Sequence, residues 1–301
     1  MSLPRTELAA AIFRKIEGSV ETIFGDSVER IEQTEGEVCV AFKSGGVRGF
    51  DIVVGADGLH SRVRELAFGA EKNFEKYLGF QVAAFTVDGY RPRDELVYVM
   101  YTEIGQQTAR FTLRDDRTMF LFTFADGDVN GPDNVRDQKA LLRKRFENSG
   151  WECPHILDTM ETSRDFYFDR VSQIRMESGQ DAQQGLWTRG RVTLVGDAAS
   201  CVSLLGGQGS ALAMVAAYIL AGELHRCRGD YGEAFRRYQR LFGPFVLKKQ
   251  NAALRFAGSF APKSNFSLFL RNRIFNLMAY PWIANLALGS GLADKIELPE
   301  Y

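Results

Sequence analysis

Two acidic residues that close short apolar runs are where this chain could do chemistry. Asp197 ends Val192-Thr193-Leu194-Val195-Gly196-Asp197, and Asp57 ends Ile52-Val53-Val54-Gly55-Ala56-Asp57. A β-branched apolar run of this length reads as a buried strand. A carboxylate just past the carboxyl end of such a strand lies where open α/β sheets bind ligands. A loop rich in Ser and Gly is expected after Asp197, with Gly206, Gly207 and Gly209 letting the backbone approach something flat. Ser210 to Leu224 is dominated by Ala, Leu, Met, Val, Tyr and Ile and reads as a buried helix. Its first turn offers free N–H groups and the positive end of the helix dipole, which suits a group that becomes anionic during turnover. The same residues would also serve as a strand, an Asp cap and a buried helix that bind nothing.

The earlier run continues Gly58-Leu59-His60-Ser61-Arg62-Val63-Arg64, where Ser61 is placed to cap a short helix. With the two runs in this order and a β-rich stretch between them, the chain resembles the flavin-dependent aromatic hydroxylases. That is the family of p-hydroxybenzoate hydroxylase and the tetracycline-inactivating monooxygenases. The resemblance implies that FAD is the cofactor and NADH or NADPH the reductant. Dioxygen would supply one oxygen atom to an aromatic or polyketide-like small molecule. It implies that Gly196-Asp197 binds the ribityl chain and that Gly207, Gln208, Gly209 and Ser210 face the flavin's pyrimidine edge. Asp57, Gly58 and Arg64 match the family's Asp-Gly signature, which lies near the FAD pyrophosphate and is tied to NAD(P)H use. Arg5, in Arg5-Thr6-Glu7-Leu8, matches an arginine that reaches the FAD from a helix; a solvated first-turn arginine is the alternative. A related flavin reductase or dehydrogenase, or a non-catalytic remnant without flavin, would share both signatures.

Two departures stand out. Val202 and Leu204 occupy positions where the family has prolines. No G-x-G-x-x-G occurs in the chain; Gly207-Gln208-Gly209-Ser210-Ala211-Leu212 has Leu in place of the third Gly. The expectation is therefore a chain lacking the family's amino-terminal dinucleotide unit. The strand at Ile52 to Val54 would then be an edge, FAD would be held weakly or not at all, and the chain would self-associate or pair with a missing segment.

The elements that must position these residues follow from periodicity. A helix is expected from the start to about Glu17, with Pro4 in its first turn and Leu8, Ile12 and Ile16 as its stripe. Val28 to Gln33 and Val38 to Phe42 read as strands, and Lys43 to Gly46 as the turn after them. Phe80 to Val87, Leu96 to Tyr101, Thr108 to Leu113 and Thr118 to Phe124 alternate like an antiparallel sheet, with turns at Asp88-Gly89 and Asp115-Asp116. Gln138 to Gly150 reads as a charged helix, Asp165 to Met176 as a returning strand, and Tyr231 to about Lys249 as another charged helix. Leu277 to Leu288, broken at Pro281, reads with the run before it as a helix packed back across both domains rather than one lying on a membrane surface.

The fold expected is α/β: a partial Rossmann-like FAD-binding domain (residues 1–73 and 180–301) with an inserted antiparallel β-sheet substrate domain (74–179) and C-terminal helices. Net charge is -1 over 301 residues, so no nucleic-acid partner is implied. Cys39, Cys153, Cys201 and Cys227 lack a C-x-x-C pair, and His60, His155 and His225 lack metal-ligand spacing. These features argue against a disulfide framework and a zinc site and point to a reducing cytoplasm. No signal peptide or transmembrane run is evident.

Overall fold

The sheet that matters most is small. Strand β4 (Val53–Gly55) pairs in parallel with β11 (Val192–Leu194), in register Val53↔Val192 and Leu194↔Gly55. Strand β10 (Thr188–Arg189) joins antiparallel on the far side of β11, giving the order β10-β11-β4. The computed structural model describes residues 5–90, 98–128, 131–163, 165–176, 186–204, 207–260, 262, 264–278 and 296–301.

Helix α1 (Arg5–Ile16) leads into an antiparallel meander of β1 (Val28–Gln33), β2 (Val38–Phe42) and β3 (Val47–Phe50). Val38 and Val40 alternate inward along β2 and join the first core. Strand β3 was not expected; its short Val-Arg-Gly-Phe run lacks alternation, and the hairpin turn, with Gly45 at φ 95°, places it. After β4 comes α2 (Arg62–Phe68). The long β5 (Glu75–Asp88) then opens an antiparallel sheet with β6 (Tyr98–Glu103), β7 (Gln106–Thr112), β8 (Arg117–Ala125) and β9 (Tyr167–Ile174), ordered β6-β7-β8-β5-β9. Helices α3 (Val135–Phe146) and α4 (Cys153–Thr159) cover one face of it. Phe85, Phe120, Phe122 and Phe124 from that face pack with Leu142, Phe146, Ile156 and Met160 as a second core.

The chain returns through β10 and β11 to α5 (Asp197–Ser200), α6 (Gly209–Arg226), α7 (Tyr231–Phe260) and α8 (Asn265–Met278). Helix α7 runs past the expected end near Lys249 and through Pro244. An interior proline costs one backbone hydrogen bond; Tyr238, Phe242 and Val246, all buried in the first core, hold the helix on either side of it. The expected break at Pro281 lies outside the described residues. No described helix is long and apolar enough to cross a membrane.

Strand β4 pairs with no described strand on its other side, and Val54 is exposed. Its sequence is apolar enough for burial on both faces, so the exposed edge comes from topology rather than composition. Gly55 packs where no side chain fits: a Cβ there would lie 2.6 Å from Leu194 Cδ2 and 2.8 Å from Val63 Cγ1. Gly55→Ala is therefore expected to destabilise the fold by about 1–3 kcal/mol through overpacking. Urea unfolding checks this; an unchanged midpoint would mean that the β4–β11–α2 contact is looser than described.

Candidate functional site

Because β4 and β11 run in parallel and in register, the loops that leave them emerge at the same end of the sheet. Asp57 and Asp197 are thus brought together from positions far apart in sequence. Local chemistry shapes each loop. Ser61 caps α2, its Oγ accepting from Arg64 N at 2.9 Å. Asp57 reinforces that cap: Oδ2 accepts from Val63 N at 3.0 Å and Oδ1 from the Ser61 hydroxyl. Its carboxylate is committed to the start of α2, and Gly58, at φ 82°, makes the turn between them.

On the other strand, Gly196 has φ 61°, and a Cβ there would lie 3.2 Å from Ala213 Cβ on α6. Instead of the expected loop, α5 starts at once at Asp197, in a sequence whose two alanines favour helix. Gly207 has φ 62° and nothing near its missing side chain. A Cβ on Gly209 would lie 3.6 and 3.8 Å from the two Asp197 carboxylate oxygens, so the first residue of α6 sits against that carboxylate. Gln208 precedes α6 without capping it through its side chain, and the first intrahelical bond is from Leu212 N to Gln208 O. The N–H groups of Gly209 and Ser210 therefore have no partner within the helix. Burial, and then the negative charge of Asp197, pushes the Cys201 thiol up to about 12, so it is a neutral neighbour.

Arg64 takes a different place from the other candidates. Its side chain is fully buried. Nη1 donates to Ala198 O at 3.0 Å, and Nη2 to Leu59 O at 2.6 Å and to Glu71 Oε2 at 2.8 Å. It bolts the Asp57 loop to α5. Burial pulls its pKa down, opposed by the charge of Glu71. Arg5 begins α1, and its side chain lies outside the described residues. A cleft of about 940 Å³ lies elsewhere, lined by Trp187, Tyr231, Phe235, Gln239 and Gln250 among others. None of the candidate residues lines it.

The arrangement fits part of a flavin. A carboxylate beside an uncapped helix start, with glycines that leave room, suits the ribityl chain and an electron-rich ring edge. The chain matches the FAD binding domain family over residues 14–232. It is 37% identical to a flavin-dependent monooxygenase from an unknown prokaryotic organism over 294 residues, spanning 96% of this chain and 71% of that protein. The chain belongs to the FAD-dependent monooxygenase family. Among solved structures it is similar to tetracycline destructase Tet(55), at 31% identity and TM-score 0.78, covering 97% of this chain and 74% of that one. It shares the fold of Klebsiella pneumoniae HpxO, solved with FAD and uric acid, at 22% identity and TM-score 0.70, covering 94% and 72%. The family's cofactor is FAD, and NAD(P)H is its typical reductant.

Sequence reasoning missed one charged group beside the site. His60 Nδ1 lies 2.9 Å from Glu71 Oε1, and Nε2 lies 3.2 Å from Asp169 Oδ2. Its spacing to the other histidines gave no hint, because the partner Asp169 is 109 residues away on β9. Hydrogen bonds to Asp169 and then to Glu71 raise the His60 pKa from 6.5 to about 10. Burial raises the pKa of both carboxylates, but hydrogen bonds and charge attraction together outweigh it, from His60, Arg64 and Arg170 at Glu71 and from His60, Tyr167 and the Arg170 N–H at Asp169, and both end below their usual values. The folded state thus keeps a proton on His60 that the unfolded chain loses near pH 6.5. The stability this gives is complete below pH 6.5 and is lost as pH rises through about 10. Urea midpoints measured across that range are expected to fall in the wild type, and His60→Gln is expected to remove its share of the slope. Equal slopes in the two proteins would contradict the assignment.

Proposed function

We propose that this chain carries the isoalloxazine-side half of a flavin site and the substrate face of a monooxygenase acting on a flat aromatic or polyketide-like small molecule. The observation that carries this is the parallel β4–β11 pair, which sets Asp57 and Asp197 at one sheet end with the uncapped start of α6 beside Asp197. In this reading Asp197 hydrogen-bonds the ribityl chain. Gly207, Gln208, Gly209 and Ser210 present backbone N–H groups to the pyrimidine edge. Asp57, Gly58 and Gly196 hold the loops in shape, and Arg64 locks them together. When bound, the flavin supplies the redox and oxygen chemistry; the protein supplies orientation, a helix dipole and a dry surface. NADH or NADPH serves as reductant, and the cytoplasm is the compartment that fits four unpaired cysteines.

The substrate face is the side of the five-stranded sheet opposite α3 and α4. Register aligns Met100, Ala109, Leu121, Ala84 and Tyr167 in one row across all five strands. Tyr98, Phe111 and Met119 form the next row, with Tyr98 and Phe111 stacked at 4.4 Å. The first row thus runs from Met100 through Ala109, Leu121 and Ala84 to Tyr167, an apolar strip of the kind that suits a planar ring system.

The same geometry bears on partners. The other edge of β4 has no described strand paired with it. That edge is suited to pairing with a further strand, from another segment of the fold or from a second copy. The chain spans 71% of the similar monooxygenase.

Titrating the chain with FAD while following flavin fluorescence and mass by light scattering tests the reading. Saturable quenching is expected, with affinity about tenfold weaker in Asp197→Ala, the loss of one hydrogen bond to a charged group. Equal affinity in the two proteins, or no binding even when a polypeptide carrying the family's Gly-rich unit is added, would refute it.

A further inference from the structure

His60 stands where the Asp57 loop meets the antiparallel sheet. Its ring is half exposed, yet both nitrogens face carboxylates: Glu71 at 2.9 Å and Asp169 at 3.2 and 3.4 Å. Two carboxylates can each accept only if both ring nitrogens carry protons, so the ring is an imidazolium. On the loop side, Glu71 also accepts from Arg64, which fixes Leu59 O and Ala198 O. On the sheet side, Asp169 Oδ2 accepts from the Tyr167 hydroxyl at 2.8 Å, and Oδ1 from Arg170 N at 2.7 Å. Arg170 completes the cluster, reaching Glu71 at 3.2 Å and Glu75 at 2.6 Å. The charged groups facing His60 are therefore Glu71, Asp169 and, one contact further, Arg64, Arg170, Glu75 and Asp57 on its own loop.

The register gives this cluster its meaning. Asp169 ends the cross-strand row Thr102, Gln107, Thr123 and Val82, and Tyr167 ends the row Met100, Ala109, Leu121 and Ala84. Both rows lie on the proposed substrate face. The chain of hydrogen bonds from Ala198 O through Arg64, Glu71, His60 and Asp169 to Tyr167 thus runs from the Asp197 segment to that face.

We propose that His60 is a positioning residue that couples the Asp57–Ser61 loop to the Tyr167–Asp169 end of the substrate face, so that the two move as one body. The coupling stands on the geometry alone; that this face receives substrate rests on the function proposed above. A neutral or absent side chain at position 60 would leave Asp169 bonded only within β9 and Glu71 only to arginines. The loop and the sheet would then be joined by packing and by the Glu71–Arg170 ion pair, without a link to Asp169.

The test uses the full chain without flavin, so a failure of the functional reading, seen as absence of FAD binding, stays separate from a failure of the coupling. The His60 ring resonances are followed by NMR from pH 5 to 11, and amide exchange is measured in wild type, His60→Gln, Asp169→Asn and the double variant. The wild-type ring is expected to stay charged well above pH 8 and to titrate at distinctly lower pH in Asp169→Asn. His60→Gln is expected to reduce protection about tenfold at amides of residues 59–61 and of 167–170 together, the loss of a charged hydrogen bond. Asp169→Asn should affect the same amides, and the double variant should add little. A wild-type ring that titrates near 6.5 would overturn the proposal even if the variants fail to fold. Losses confined to residues 59–61, or additive effects in the double variant, would also overturn it and leave His60 as a local loop contact.

Discussion

The parallel pairing of β4 with β11 is the constraint on which the site depends. Three residue pairs in register decide that two loops, separated by the entire antiparallel sheet in sequence, leave the same end of one sheet. Everything that binds at that end inherits its spacing from this pairing. Gly55 lets Leu194 and Val63 close over it, and Arg64 bolts the loops together from beneath through Leu59, Glu71 and Ala198. The arginine is buried at the cost of desolvation, which its three oxygen partners offset only in part. Its described partners all lie within the protein, in the Asp57 loop, in α5 and in the segment after α2.

The two halves of the site use helix ends differently. At α2 the N-terminus is satisfied from within, by Ser61 and Asp57. At α6 it is not: Gln208 gives no side-chain cap, and glycine stands at the first position. The dipole of α6 favours the Asp197 carboxylate beside it, and the N–H groups of Gly209 and Ser210 have no acceptor within the helix. The sequence alone places Asp in both loops; the difference in what each Asp does appears only once the caps are seen.

Much of the fold was legible. β1 and β2 have the expected bounds, because alternation and a Gly-rich turn mark them. The strands of the middle overlap their expected runs wherever they are described, since apolar residues alternate there, although β5 begins earlier, at Glu75. What escaped was short or set by distant partners. β3, β10 and α4 are too brief for periodicity to register, and α5 replaces a loop because two alanines follow Asp197. The Asp57 and Asp197 loops could be named from local pattern, whereas the link from His60 to Asp169 spans 109 residues and leaves no local trace.

The central claim is that the ends of β4 and β11, with the first turn of α6, form the surface that receives the flavin. Amide chemical shifts followed during an FAD titration of the chain test this most directly. The account predicts the largest changes at Gly58, Gly196 and Gly207 to Ser210, with little change at Trp187, Tyr231 and Phe235 in the cleft along α7. Changes centred on that cleft, with the amides of Gly207 to Ser210 unmoved, would contradict it.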